Sequence, residues 1–282
     1  QFGPQLGFNQ ESIYLHSAPM FHLANGAAMF ATASAAGRSM IVTAFEPETV
    51  LKTIEEKKVS LALLVPTMVN MVVNHPKATD YDLTSLGNVL YGASPMPEAV
   101  ITKAIEVMPE TRFHQAFGQT EAGPVLTILP PERHVWEGPL AGKVKSAGQA
   151  ISGIEMKIVD DDDNEVPRGT VGEICGRGEN VMLGYWRQPV MSATTLRGGW
   201  LHTGDGGYMD QDGFVFVVDR VKDMIISGGE NVYSAEVEQA IYQHAAVLEC
   251  AVIGIPHEKW GEQVHAVIVS KDGRELDTEA LV

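Results

Sequence analysis

Positive charge is scarce in this sequence. Twenty Lys and Arg stand against 36 Asp and Glu, a formal net charge of −16. A strongly acidic chain repels a phosphate backbone, which argues against general nucleic-acid binding. A small anion in a local electropositive pocket stays open. Cysteine is scarcer still: Cys175 and Cys250 lie far apart, in no CxxC or CxxxC pair. That excludes a disulfide framework or a cysteine-based structural zinc, and fits a reducing, cytoplasmic setting. No apolar run is long enough to span a bilayer. The longest, 59–73, is interrupted by Pro66 and Asn70. None of the nine histidines has HExxH spacing. Gly138-Pro-Leu-Ala-Gly142-Lys143 has one residue too few for a phosphate-binding P-loop, with Val144 where Ser or Thr should stand. Ser94 is not in GxSxG, so an esterase elbow is unsupported. The run Asp160–Asp163 lacks EF-hand spacing and reads as a solvated hairpin turn.

What is present is ordinary globular composition, 45% hydrophobic over 282 residues. Residues 39–118 alternate short apolar runs with amphipathic stretches. Ser39–Ala44, Ser60–Val65, Val89–Tyr91 and Phe113–Phe117 read as strands. Pro47–Lys58, the stretch opened by Pro66, and Glu98–Val107 read as helices. This rhythm predicts a mostly parallel sheet flanked by helices, with ligands at the carboxyl ends of its strands. Beyond 145, alternating runs at 154–159, 169–176 and 213–219 predict a small antiparallel β-barrel subdomain. From 222, a helix capped by Ser234 and two apolar runs predict the start of a small α+β C-terminal domain. The expected division is therefore 1–144, 145–221 and 222–282. Both ends of the sequence read as cut, as in an internal piece of a longer protein.

Four segments concentrate Gly, Thr, Asp and Glu: Tyr91–Pro97, Gln115–Gly123, Gly199–Asp205 and Asp219–Asn231. A fifth is Pro19-Met-Phe-His-Leu23. Each alone is a turn. In this order and spacing they resemble the adenylate-forming superfamily: acyl-CoA synthetases, luciferases and peptide-synthetase adenylation domains. The resemblance covers essentially the whole chain.

It implies ATP-dependent activation of a carboxylic acid to acyl-AMP, followed by thioester formation with coenzyme A. Phe117 would stack on adenine, where relatives more often have Tyr, and Gly92, Ala93, Ser94, Gln115 and Ala116 would line the purine's other edges. Gly118 would leave room for the reacting carboxylate. Thr120 would donate to the α-phosphate, and Glu121 would hold Mg²⁺. Asp205 would accept both ribose hydroxyls, and Arg220 would reach ribose or phosphate. Lys222 falls at the family's hinge. Gly228 and Gly229 would admit the pantetheine arm of CoA. His22 resembles the gate histidine of the acyl pocket, and Gly26 stands where some long-chain members carry a Trp gate. No acidic residue occurs from Phe21 through Phe45, where amino-acid-activating relatives pair the substrate's ammonium. A fatty or aryl acid is therefore expected.

Each residue also has a plainer reading. Thr120 or Glu121 could be helix caps, Asp205 a turn residue, Arg220 half of a surface ion pair, Lys222 a solvated loop lysine, Gly228–Gly229 a tight turn, and His22 a buried polar residue. Two other functions stay open: loading a carrier protein, and a remnant that binds adenylate without turnover. The family's Ser/Thr/Gly-rich phosphate loop and its C-terminal catalytic lysine do not occur in these 282 residues. The chain is therefore expected to adenylate weakly or not at all, and an uncovered sheet face would favour a homo-oligomer.

Overall fold

A computed structural model describes residues 6–220, 223–244, 246–257 and 259–271. The first unit is a seven-stranded sheet in which β1 (Ile13–His16), β2 (Arg38–Ile41), β3 (Leu61–Leu63), β4 (Asn88–Gly92) and β5 (Arg112–Phe117) run parallel. Two antiparallel strands, β6 (Thr127–Leu129) and β7 (Gln149–Ala150), extend it in the order β2-β1-β3-β4-β5-β6-β7. The crossovers carry α1 (Leu23–Ser34), α2 (Pro47–Lys57), α3 (Pro66–Val73) and α4 (Glu98–Val107).

The helices form where sequence chemistry places them. Pro47 supplies the first turn of α2, and the Glu46 side chain accepts from the backbone N–H of Glu48 and Thr49. These two bonds satisfy donors that the helix start leaves unpaired. Val50, Leu51 and Ile54 then face inward. In α4 the buried stripe is Val100, Ile101 and Ala104. Both stripes join Leu15, Val89 and Phe113 in one core. Phe113 is 2% exposed, so Phe113→Ala is expected to cost ~3–5 kcal/mol. Urea unfolding measures this.

The second unit is a four-stranded antiparallel sheet, β11-β10-β9-β8. Its strands are β8 (Ile154–Val159), β9 (Gly172–Gly178), β10 (Leu201–Met209) and β11 (Val215–Arg220), with α5 (Pro189–Thr195) between β9 and β10. Ile158, Ile174, Met209 and Val215 form its core. The Asp160–Asp163 run is a turn, in which the Asp160 carboxylate accepts from the N–H groups of Asp162 and Asn164.

The third unit is the sheet β13-β12-β15-β14: β12 (Ile225–Ser227), β13 (Glu230–Val232), β14 (Val247–His257) and β15 (Gly261–Ser270). Helix α6 (Ser234–Ile241) packs on it through Val237 and Ile241. Ser234 is the first residue of α6 rather than its cap, which is Tyr233. The Ser234 N–H donates to Asp219 Oδ2 at 2.7 Å, so an acceptor from β11 does the capping instead. Asn70 of α3, 5% exposed, donates to the Leu248 carbonyl at 2.8 Å, a second tie to the third unit. No helix of the described residues is long and apolar enough to cross a membrane.

Candidate functional site

The carboxyl ends of β4 and β5 open into a cavity of about 1090 Å³. Its walls come from all three units: 93–96 and 115–119 from the parallel sheet and the loops at its edge, 203–205, 208 and 216–220 from β10 and β11, and 234–236, 238 and 239 from α6. Parallel sheets bind ligands at this end because crossover loops diverge there.

Nine of the expected site residues line this cavity together: Ala93, Ser94, Gln115, Ala116, Phe117, Gly118, Glu121, Asp205 and Arg220. Phe117 is partly buried, packed between the cores of the second sheet and of the Leu126 cluster, which holds its ring in place. Gly92 lies just below the wall. A methyl there would overlap the Ala116 carbonyl, so glycine lets β4 and β5 approach closely. Gly118 is short of a side chain for a similar reason. A methyl there would overlap the Pro124 carbonyl and crowd Val125 and Leu126. Backbone packing therefore demands glycine at 118, in addition to any demand from a ligand.

Thr120 is exposed and opens a single helical turn beside the wall rather than within it. Glu121 Oε1 accepts from the Tyr185 hydroxyl at 2.6 Å. The segment around Tyr185 is itself pinned there, with Met182 N–H donating to the Glu121 carbonyl. One carboxylate facing a cavity large enough for a polyphosphate matches what Mg²⁺ needs from protein, because this ion keeps waters and takes its remaining ligands from phosphate.

Asp205 is the most perturbed acid of the site. Burial pushes its carboxyl up to about 6, against a lowering by Arg220 and smaller raising contributions from Glu173 and Asp223. Arg220 stands opposite it in the β10–β11 register, with Nε 3.9 Å from Oδ1. Its own side chain is 63% exposed, so the pair contributes little as an ion pair. Sequence reasoning missed several wall residues: Tyr208 and Phe216, stacked at 4.8 Å and 3°, together with Tyr185 and Met96. Phe216 falls in the alternating run 213–219, and Tyr208 carries no sequence signal. Their opposition across β10 and β11 depends on register, and sequence spacing does not give that.

Four expectations fall away from the cavity. His22 is exposed and caps α1, its Nδ1 accepting from Ala24 N–H at 3.3 Å; it is neither buried nor on the wall. Gly26 lies within α1, packed near the Met20 carbonyl. Gly228 and Gly229 form the turn between β12 and β13 and do not line the cavity. Helix α6 faces the cavity in their place. Lys222 lies outside the described residues.

Among the described residues, Glu173, Cys175 and His202 are grouped closely enough to hold a metal ion. Their bonding is already complete. Arg197 stands 3.0 Å from Glu173, and His202 Nδ1 is 2.8 Å from the same carboxylate oxygen. Burial pushes the Cys175 thiol up to about 12, which leaves it a protonated and poor ligand.

A cavity of about 1090 Å³ at the strand ends of an α/β sheet, with an aromatic wall and a half-buried carboxylate, has the size and chemistry that a nucleotide needs. The chain belongs to the AMP-binding enzyme family: the family model matches residues 2–186, and the model of the AMP-binding enzyme C-terminal domain matches 236–282. A feruloyl-CoA synthase from Amycolatopsis is 40% identical over 95% of this chain and 53% of its own length. A fatty acid–[acyl-carrier-protein] ligase from Streptomyces coeruleorubidus is 38% identical over 93% of this chain and 50% of its own. The solved amide bond synthetase of Marinactinospora thermotolerans superposes with a TM-score of 0.88 at 34% identity, covering 98% of this chain and 54% of that one. The chain thus spans about half the length of the relatives it matches.

Proposed function

We propose that this protein activates a carboxylic acid, fatty or aryl, with ATP and Mg²⁺ and transfers the acyl group to coenzyme A. The observation that carries the reading is the convergence of Phe117, Asp205 and Glu121 on one cavity. In the first step a carboxylate oxygen bonds to the α-phosphorus and pyrophosphate leaves, giving acyl-AMP. In the second a thiolate attacks the acyl carbon and AMP leaves.

The residues divide the work by chemistry. Phe117 offers a flat face to adenine, backed by Ala93, Ser94, Gln115 and Ala116 at its edges. Ionised Asp205 can accept two ribose hydroxyls at once. Thr120 and Arg220 would contact phosphate or ribose from the rim. Glu121, held by Tyr185, would hold Mg²⁺, which offsets polyphosphate charge when bound. That offset matters here. Asp205, Glu121, Asp219, Asp223, Glu236 and Glu238 line the cavity against Lys145 and Arg220 alone among the described cations. His22, Gly26, Gly228 and Gly229 remain proposals for the acid and thiol ends. Gly228 and Gly229 would have to meet the cavity in another arrangement of the third unit, with Lys222 as the hinge, whereas His22 and Gly26 belong to α1 of the first unit.

Relatives differ in acceptor, so the acceptor is what the decisive experiment must read. Chains extended to the relatives' full length are supplied with ATP, Mg²⁺, ferulate or a fatty acid, and either free CoA or a carrier protein. Thioester with free CoA is expected. Thioester formed only on the carrier protein would replace this reading with the carrier-loading one. Adenosine-nucleotide binding with neither pyrophosphate release nor thioester would replace it with a binding remnant. Saturable AMP binding to the 282-residue chain, seen by calorimetry, is the corresponding test of the nucleotide site alone.

A further inference from the structure

Asp205 points into the cavity because β10 bulges. His202 pairs with Cys175 and Gly206 with Glu173, so three residues of β10 (203, 204 and 205) face one residue of β9. A bulge re-aims side chains but leaves backbone groups without ladder partners. Here those groups are met by side chains of β9 and of the bulge itself. Glu173 Oε1 accepts from the Gly204 N–H at 3.0 Å. Thr203 Oγ1 donates to the Ile174 carbonyl at 2.7 Å and accepts from the Asp205 N–H at 3.1 Å. The other Glu173 oxygen, Oε2, lies 2.8 Å from His202 Nδ1 and 3.0 Å from Arg197 Nη2, and Arg197 also pairs with Asp163.

We infer that Glu173 is the positioning residue for Asp205: its carboxylate locks the 203–205 bulge from β9 and so fixes the ribose-facing carboxylate, without touching ligand. The inference rests on the nucleotide-site reading. Glu173 does not line the main cavity but a smaller one of about 270 Å³ behind it, with Arg197, His202 and Thr203. A carboxylate is better suited here than an amide. It accepts from Gly204, His202 and Arg197 at once, and an amide would present two hydrogens to those donors.

The charge of Glu173 adds a readout that a purely structural residue lacks. The charged groups facing Asp205 are Arg220 from β11, Glu173 from β9, and Asp223 just past β11. Those facing Glu173 are Arg197 and His202, each of which also stands beside Asp163. Removing the negative charge of Glu173 lets Asp205 ionise at lower pH.

Four measurements test this. In the unsubstituted protein, hydrogen exchange should find the Gly204 amide protected although it has no strand partner. In Glu173→Ala its exchange should accelerate at least about 100-fold, with β8 and the rest of β9 still protected. In Glu173→Gln the midpoint of adenosine affinity against pH should move below that of the parent, and in Glu173→Ala adenosine affinity should fall about 10-fold or more. An unprotected Gly204 amide, or unchanged exchange in Glu173→Ala, overturns the proposal. So does adenosine binding that keeps its midpoint in Glu173→Gln. If the unsubstituted protein binds no adenosine, the nucleotide reading fails, and the exchange measurements still decide whether Glu173 locks the bulge.

Discussion

Asp205→Ala is expected to weaken AMP binding about 100-fold or more. Two hydrogen bonds to a charged, largely buried acceptor are lost, each worth ~1.5–3 kcal/mol. The fold should survive, and in fact gain slightly at neutral pH. Burial raises the Asp205 carboxyl to about 6 from its ordinary 3.8. The ionised group therefore costs the folded state stability above about pH 6, and that cost is relieved as pH falls from 6 toward 4. Ligand binding runs the other way. The ribose needs the carboxylate, so affinity should fall up to about tenfold per pH unit below 6 and level off above it. Adenosine suits this titration because it has no phosphate titrating in the window. Asp205→Asn should flatten the profile. A parent protein whose adenosine affinity is flat from pH 5 to 7.5 would remove Asp205 from the ribose site.

Gly118→Ala should be more damaging than its size suggests. The added methyl overlaps the Pro124 carbonyl and meets Val125 and Leu126, all backbone, so no side chain can rotate away. The end of β5 must shift, carrying Phe117 with it. A stability loss of ~3 kcal/mol or more, at the upper end for overpacking, is expected together with loss of AMP binding. Gly138→Ala is the control. Its φ is +87°, but nothing lies near the new methyl, so the cost should stay near ~1–2 kcal/mol and binding should be unchanged. Denaturant unfolding and calorimetry on both variants give the comparison. If Gly118→Ala bound AMP with parental stability, the close approach of 118 to 124–126 would not be real.

Much of the first unit is legible because each signal there is local. Pro47 and the 50-51-54 spacing specify α2, and Glu98–Val107 is a helix with the bounds its spacing predicts. Strand β10 was not legible as a strand. Its Gly204, Gly206 and Gly207 read as a turn, and it is a strand because β9 and β11 pair with it on both sides. The β12–β13 hairpin was read only as a tight turn at Gly228–Gly229 for a similar reason. Within the site, Phe117, Glu121 and Asp205 were legible through the order of their motifs. Tyr185 and Glu173 were not, since each acts through a partner distant in sequence, and the Tyr208–Phe216 stack was not, since it depends on the β10–β11 register.

The sequence alone determined the fold class, the family and the kinds of side chain available for a nucleotide, because periodicity, turn residues and motif order are properties of the chain itself. The tertiary structure decided which of those side chains meet. It left His22 and Gly26 outside the cavity that Asp205 lines, and it gave Gly118 a backbone neighbour. It also set the β9–β10 register that turns Asp205 inward, with Glu173 behind it. Register and burial arise from contacts between distant segments, and those are settled only when the sheets pack.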